Sequence, residues 1–277
     1  MAMRVATNVS AINAQRTLQN NNRAINSSYE KLSSGSRINK AADDAAGLAI
    51  SEGLKAQIRS ANQAKRNSQD GISLVQTAEG GLAEIGNMIV RLRELGIQAA
   101  SDTVDADERQ FINAEVQQLK DEMQRIAETT KWGRVNLLDG STPVFDFQVG
   151  IFNSDSADRI SFDSSNNVAT VDALGLSSID YSDKSGAQSA LEELDLAQTE
   201  VNRIRANMGA IQNRLTNTVS NLGSMAENLS AANSRIRDTD IAEVTAELTR
   251  NQILMQANTA TLAQANQKNT LALQLLG

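Results

Sequence analysis

The chain has 277 residues, of which 40% are hydrophobic but only 3% aromatic, so Ala, Leu, Ile and Val must fill its core and helix-on-helix packing is favoured. His and Cys are absent, which excludes disulfides, thiol nucleophiles and zinc sites built from these residues. The formal charge of −7 argues against a nucleic-acid partner, and no apolar run reaches the roughly 20 residues that insert across a membrane.

The N-terminal segment is predicted to form an amphipathic helix. It lacks the continuous apolar stretch and small-residue cleavage site of a secretory signal peptide. Amides at positions 20–22 dilute its apolar stripe, so it buries little area alone, and we expect it to become ordered only on association. The stripe comprises Val5, Val9, Ile12, Leu18, Ile25 and Leu32.

A second, long helix is predicted behind Asp43 and Asp44, which we interpret as helix caps rather than a carboxylate site. Each of the five glycines from Gly71 to Gly96 costs up to about 1 kcal/mol relative to Ala, so the helix should be stable only when tightly packed. Its apolar residues recur at steps of three and four: Leu54, Ile58, Ala61, Ile72, Val75, Ala78, Leu82, Ile85, Ile89 and Leu92.

A third helix is expected after the cap signal of Asp105 and Glu108, and it should stop before Trp132, which we expect to be a buried anchor. Beyond the single proline, Pro143, the hydrophobic period changes to two, which predicts a small β-hairpin near 144–163. The stretch from Asp139 to Lys184 holds eight Asp against one Arg and one Lys, typical of a solvated, loop-rich excursion. It lacks calcium-loop spacing, and we find no metal site, cofactor site or catalytic set.

The strongest periodicity predicts a long fourth helix, for which Ser185 and Gln188 form a candidate capping box. Its seam runs Leu194, Ala197, Val201, Ile204, Met208, Ile211, Leu215, Thr218, Leu222, Met225, Leu229, Ala232 and Ile236, a spacing that favours coiled-coil-like packing. A C-terminal helix carries Ile241, Val244, Leu248, Met255 and Leu262, with Asn251, Asn258 and Asn269 in register. The predicted fold is mainly α: a long coiled-coil-like bundle with a small β-hairpin and paired N- and C-terminal helices.

Three motifs resemble those of bacterial flagellins. They are LSSGSRINKAADDAAGLAIS at residues 32–51, RNSQDGISLVQTAEGGLAEIGNMIVRLRELGIQAASD from Arg66 to Asp102, and RIRDTDIAEVTAELTRNQILMQANTATLAQANQ from Arg235 to Gln267. The chain is similar to a minimal flagellin, since it has almost no insertion between the hairpin and the last long helix. The resemblance implies that residues 1–43 and 237–277 form the axial core of a filament and that residues 44–236 form the surrounding helical domain.

The resemblance also implies a non-enzymatic, extracellular filament subunit, exported by the flagellar type III apparatus without a cleaved signal. Its implied partners are further copies of itself, hook-filament junction proteins, a cap protein, the flagellin export chaperone and the flagellin-sensing Toll-like receptor of animals. Axial-core residues would be Val5, Val9, Ile12, Ile25, Leu32, Ile241, Val244, Leu248, Met255 and Leu262. The chaperone would cover Leu248, Ile253, Leu254 and Leu262, and the receptor would contact Arg91, Leu95 and Glu115.

Three other functions stay open at this point. A hook-filament junction protein shares the helical ends but forms a short layer instead of a long polymer. A carboxylate-only hydrolase would need two acidic residues about 5 to 10 Å apart across one cleft, for which the helical seams offer no place. An intracellular coiled-coil scaffold would remain inside cells.

Overall fold

The computed structural model describes residues 7–141 and 144–274, with side chains through Gln267. This part of the chain is mainly α-helical, as predicted. Most strand residues belong to one small hairpin, and a second, shorter hairpin precedes it. The helices are α1 (Val9–Ser34), α2 (Ala45–Ala99), α3 (Ala106–Thr129), α4 (Lys184–Arg237) and α5 (Ile241–Gln274), and the strands are β1 (Lys131–Trp132), β2 (Val135–Asn136), β3 (Phe145–Gln148) and β4 (Arg159–Phe162).

The chain divides into two compact units. The central unit spans Ile58–Ala226, and the terminal unit contains the chain before and after it. The predicted boundaries at 43/44 and 236/237 fall close to helix ends, whereas the units divide inside α2 and α4. The first turns of α2 belong to the terminal unit because they contact other parts of it: Glu52 is paired with Arg237 of α4.

The core of the central unit follows the predicted seam of α4. Every seam position from Leu194 to Leu215 is buried, and Leu222 is 7% exposed. The seams of α2 and α3 face the same core, where Leu82, Val116 and Met123 have no exposed surface. Apolar residues at three- and four-residue steps therefore produce the three-helix packing that the sequence predicts.

The helix starts confirm two of the three predicted caps. Asp44 caps α2, since its Oδ1 accepts from the Gly47 N–H at 2.8 Å, and Glu108 closes the α3 capping box by accepting from the Asp105 N–H at 3.2 Å. The prediction for α4 is wrong because that helix begins at Lys184, before Ser185. Its first hydrogen bond runs from the Ala187 N–H to the Asp183 carbonyl at 3.0 Å.

The predicted hairpin is confirmed, with β3 antiparallel to β4 and Phe145 opposite Phe162. The sequence does not predict the shorter hairpin of β1 and β2, which turns through Gly133 at a φ of 63°. Trp132 lies in this hairpin and is 39% exposed, so the expectation of a buried anchor is wrong. Two-residue strands are too short to show a period of two.

Residues 163–183, here called the strap, correct the prediction of a solvated excursion. Their apolar residues enter the core, and Leu176 and Tyr181 have no exposed surface. The strap backbone is held by a row of α3 side chains spaced along one face: Asn113, Gln117, Lys120 and Gln124. Lys120 Nζ donates to the carbonyls of Ser177 at 2.8 Å and Ile179 at 3.2 Å.

The remaining members of this row bind the strap on either side of Lys120. Gln124 Oε1 accepts from the Val171 N–H at 3.1 Å, and Asn113 Oδ1 accepts from the Tyr181 N–H at 3.1 Å. These bonds satisfy main-chain groups that a buried, irregular segment would otherwise leave unpaired.

Three glycines of α2 admit segments that lie outside the helices. A Cβ on Gly71 would meet the Phe147 ring at 3.2 Å, one on Gly81 would meet Thr130 Oγ1 at 2.6 Å, and one on Gly96 would meet Tyr181 Oη at 3.0 Å. Burial raises the pKa of Tyr181 to about 12, so its hydroxyl stays protonated and donates to the Leu92 carbonyl at 2.9 Å. The glycine-rich helix is thus tightly packed, as predicted.

Candidate assembly surface

The terminal helices α1 and α5 pack against each other in antiparallel orientation, which confirms the predicted pairing of the chain ends. Asn8 caps α1 through its Oδ1, and its Nδ2 donates to the Ala265 carbonyl at 2.9 Å. Toward the other end of the pair, Gln252 Nε2 donates to Tyr29 Oη at 3.2 Å. Polar bonds therefore fix the register of the two helices at both ends.

The apolar contact within this pair is small. Among the nine residues expected in the axial core that the structure describes, only Ile25 and Val244 are buried, each at 7% exposure. Half-buried members are Leu32, Leu248, Met255 and Leu262. Asn251 and Asn258 are half-buried in register with them, as predicted, so amides replace part of the apolar seam. Val5 and the side chain of Asn269 lie outside the described part of the chain.

The other axial-core candidates are exposed instead of buried. Val9 is 64% exposed, Ile12 57% and Ile241 63%. Tyr29 was not predicted from the sequence, and its ring is 51% exposed beside its hydrogen bond to Gln252. Large apolar side chains on the outside of a helix pair that buries little are typical of a surface that a partner covers.

The four candidate chaperone contacts lie on different faces of α5. Ile253 and Leu254 are 60% and 44% exposed, whereas Leu248 and Leu262 are half-buried beside α1. One partner can therefore reach Ile253 and Leu254 on the paired helices. Leu248 and Leu262 offer a partner less exposed surface while α1 and α5 are paired.

The segment between α1 and α2 explains much of the motif at residues 32–51. Gly35 ends α1 in the left-handed region at a φ of 68°, which favours glycine. Ile38, which we did not single out in the sequence, is 1% exposed, and a Cβ on Gly47 would lie 2.8 Å from its Cδ1. In the sequence, Ile38 stands out as the single large aliphatic residue between α1 and α2.

Main-chain bonds join this turn to the segment between α4 and α5. The Arg37 N–H donates to the Arg237 carbonyl at 2.6 Å, and the Thr239 N–H donates to the Gly35 carbonyl at 3.1 Å. Asp43 accepts from the N–H groups of Asn39 and Lys40, so it holds the turn and does not cap α2. The bond from Lys40, followed by that from Asn39, lowers the pKa of the Asp43 carboxyl.

The structure separates the three candidate receptor contacts. Arg91 of α2 donates to Glu115 Oε1 of α3 through Nε at 3.1 Å and Nη2 at 2.9 Å, and the side chains of both residues are about half exposed. The bond to Glu115 is the main cause that raises the pKa of Arg91. Leu95 is only 3% exposed and packs in the core, so its expected role as an accessible contact is corrected. Position 95 belongs to the buried stripe of α2, not to its outer face.

Within residues 7–141 and 144–274, no group of three or more acidic side chains could hold a metal ion. The helices in those ranges include none that is long and apolar enough to cross a membrane.

Comparison with known protein families identifies both halves of the chain. Residues 5–142 match the bacterial flagellin N-terminal helical region, and residues 191–276 match the bacterial flagellin C-terminal helical region. A flagellin of Halalkalibacterium halodurans is 45% identical over 97% of this chain and 98% of its own length. The flagellar filament 33 kDa core protein of Treponema phagedenis is 43% identical over the same shares.

Solved structures agree with this assignment. Bacillus cereus flagellin shares 29% identity, with a TM-score of 0.51 over 61% of this chain and 94% of that one. A protein described as flagellar hook-associated, from Vibrio parahaemolyticus, has a TM-score of 0.57 over 71% of this chain and all of that one, but at 12% identity it shows the fold alone. The closely similar sequences do not favour the hook-filament junction alternative. The chain therefore belongs to the bacterial flagellin family.

Proposed function

We infer that this chain is a structural subunit of the bacterial flagellar filament, and we propose that α1 and α5 carry contacts between subunits. The observation that supports this role is the set of exposed apolar side chains on the terminal pair, including Val9, Ile12, Ile241 and Ile253. A filament needs one surface that binds a different surface of the next copy, because such heterologous contacts propagate when the rotation does not close. Identical subunits then suffice to build a helical polymer.

We also propose that the terminal helices become fully ordered only in the polymer. Helical pairs with so few buried side chains gain little free energy from burial to offset their conformational entropy. Covering Ile12 and Ile253 with a second copy would supply part of the missing burial. On this proposal, residues 1–43 and 237–277 are the axial core and residues 44–236 the surrounding layer.

Export and capping are further parts of the proposal. The subunit would leave the cell through the flagellar type III apparatus without a cleaved signal and join the filament beneath a cap protein, beyond the hook-filament junction proteins. Ile253 and Leu254 are the accessible positions for an export chaperone, because they stay exposed while α1 and α5 are paired. Leu248 and Leu262 offer it less exposed surface while the two helices are paired. No catalytic activity, membrane insertion or nucleic-acid partner is proposed.

Recognition by the animal Toll-like receptor would use the outer face of α2 and α3. Arg91 and Glu115 are accessible there as a preformed ion pair, and Leu95 would act indirectly by keeping α2 packed. A receptor reporter assay with Arg91→Ala and Glu115→Ala tests this part. Unchanged signalling by both variants would remove these residues from the proposed contact.

Electron microscopy of the purified chain with short filament seeds tests the main proposal. Long uniform filaments are expected, while short caps would indicate a junction protein and persistent monomers would contradict self-assembly. Limited trypsin digestion of the monomer should trim both ends and spare residues from about 45 to 235, a span set by the predicted helix boundaries. Ends that resist trypsin in the monomer would contradict ordering on assembly.

A further inference from the structure

A groove crosses the central unit between the β3–β4 turn and α4, and its volume is about 480 Å³. The α4 wall contains Arg214, Asn217, Asn221, Leu222 and Met225, whose three- and four-residue spacing places them on one face. Ile151 and Phe152 of the turn form part of the opposite wall. Leu222 also packs with Ala61 and Ala64 of α2, so the groove lies at the Ile58 end of the central unit.

The lining of this groove combines an apolar floor with Asp158 and two arginines, of which Arg159 is already paired with a carboxylate and Arg214 is available. Leu222 is 7% exposed, and Ile151 and Met225 are half-buried, whereas the Arg214 side chain is exposed. In the part of the chain that the structure describes, no side chain pairs with the Arg214 guanidinium. Such a groove fits a large apolar side chain that has a carboxylate beside it.

The opposite end of the central unit carries that combination. Phe111 in α3 is 76% exposed, and Asp107, four residues earlier, lies on the same helix face and is also exposed. Asp107 is free of the capping box, which uses Asp105 and Glu108. We call Asp107 and Phe111 the knob.

The knob cannot reach the groove of its own chain. Arg109 Nε donates to the Ala99 carbonyl at 2.9 Å, which places the start of α3 beside the end of α2. The groove lies near Ala64, and α2 rises 1.5 Å per residue, so about 50 Å separates the two sites. A second copy of the chain is therefore the occupant that supplies this chemistry.

We propose that the knob of one subunit inserts into the groove of the next, with Phe111 against Ile151, Leu222 and Met225 and with Asp107 paired to Arg214. This inference rests on the proposed filament function and adds a contact outside the terminal helices. Because the two surfaces lie at opposite ends of one unit, the contact repeats head to tail and builds a row of subunits.

Disulfide trapping tests the contact directly, since the chain has no native cysteine. Phe111→Cys and Met225→Cys are introduced in one chain, which is assembled on seeds, oxidised and run on a non-reducing gel. The expected result is a ladder of covalent multimers. The matched control combines Phe111→Cys with Leu196→Cys, because Leu196 is 67% exposed on α4 outside the groove; it should give no ladder.

Filaments of the double-cysteine chain without a ladder, or with dimers alone, would overturn the knob-and-groove contact and leave the filament function standing. A ladder in the Leu196→Cys control at equal yield would overturn it as well, because the trapping would then be nonspecific. Absence of filaments from the unmodified chain on seeds would instead contradict the proposed function.

Charge reversal provides a second readout that does not depend on cysteines. Arg214→Glu or Asp107→Arg alone should slow seeded elongation about tenfold, and the two together in one chain should restore the rate to within about threefold. Thermal melting of each monomer checks that the central unit is folded. Single variants that elongate like the unmodified chain, or a double variant as slow as the singles, would overturn the pairing.

Discussion

The central and terminal units are both built from amphipathic helices, but they differ in how much of their apolar surface is buried within the chain. In the central unit, α2, α3 and α4 bury most of their apolar seams, and the strap adds Leu176 and Tyr181 to the same core. In the terminal unit, α1 and α5 bury few side chains and expose Val9 and Ile253 by 64% and 60%. The comparison indicates that the first unit is stabilised within the chain, and we propose that the second is completed by other copies.

Charge divides the two units in the same way. The central unit holds 15 Lys and Arg against 24 Asp and Glu, whereas the terminal unit holds 11 against 9. The excess of negative charge makes central units repel one another, so a contact between them needs a local pairing of opposite charges such as the proposed Asp107 with Arg214, while the nearly neutral terminal unit meets less repulsion when copies associate. Both differences support the proposal that the terminal helices carry contacts between copies.

The largest effect is expected from a matched pair of leucine truncations, one in the central unit and one in the terminal pair. Leu82→Ala removes a side chain with no exposed surface and should lower the free energy of unfolding of the central unit by about 2 to 5 kcal/mol. Leu248→Ala lies in the terminal pair and should change that transition by less than about 0.5 kcal/mol, since distant sites act independently. Denaturant unfolding measures both.

Seeded filament growth should be affected more by Leu248→Ala than by Leu82→Ala, the reverse of their effects on the central unit's stability. Leu248→Ala should block seeded growth although its central unit is intact. Equal destabilisation of the central transition by the two variants would show that the units are not independent.

Two glycines of α2 give the next largest effect. Gly96→Ala should destabilise the central unit by about 1 to 3 kcal/mol, because a Cβ there lies 3.0 Å from Tyr181 Oη and 3.2 Å from Leu191. Gly80→Ala meets nothing within 4 Å and should stabilise the helix by up to about 1 kcal/mol. If thermal melting ranks Gly96→Ala as the more stable variant, the close packing of Tyr181 against Gly96 does not limit the size of the residue at position 96.

Acid should weaken each unit through a different aspartate. Hydrogen bonds from the Ser182 hydroxyl and N–H lower the pKa of Asp180 in the central unit, and bonds from Lys40 and Asn39 lower the pKa of Asp43 in the terminal unit. A lowered pKa in the folded state contributes stability above the ordinary value of about 3.9, which is lost as the pH falls through the folded value.

Asp180→Asn should therefore lower the stability of the central unit near neutral pH, have little effect at acid pH, and so flatten the acid limb of the central transition. Asp43→Asn should leave that limb unaltered. Melting curves between pH 2 and 7, a window chosen to span these carboxyl groups, distinguish the two. An unchanged acid limb in Asp180→Asn would assign the acid sensitivity to other carboxyls.

The smallest change in stability is expected for a substitution on the exposed face of the central unit. Arg91→Ala removes an exposed ion pair with Glu115, so the unfolding midpoint should be unchanged within error at physiological salt. A clear loss of stability would mean that Arg91 supports the packing of α2 on α3.

The sequence predicts the long helices and the terminal pairing because their apolar residues repeat at helical spacing, as from Leu194 to Leu215. It does not predict the strap, where Val171, Leu174, Leu176 and Ile179 follow no constant period and alternate with Asp and Ser. Their burial depends on Lys120 and Asn113, which lie more than 50 residues earlier in the chain. Local pattern cannot show such partners.

The candidate assembly surface is predictable to a similar degree. The motifs indicate the helices that we propose for assembly, and the predicted stripe of α5 includes Val244, which is buried, and Leu248, which is half-buried. Which apolar residues face a partner copy instead of α1 depends on the pairing itself, and this is why Ile25 is buried while Ile12 is not. Leu95 shows the same limit, since a motif identifies the position but not the direction of the side chain.

The row of α3 side chains that holds the strap allows extra residues to be inserted into the strap. Lys120 and Gln124 bind main-chain atoms, so they place little demand on strap sequence. Between their partners Ser177 and Val171 lies Gly175, in a left-handed turn with open space around it. Extra chain length inserted at this turn would project outward while both anchors persist, so the bundle tolerates growth on its outside without a redesign of its interior.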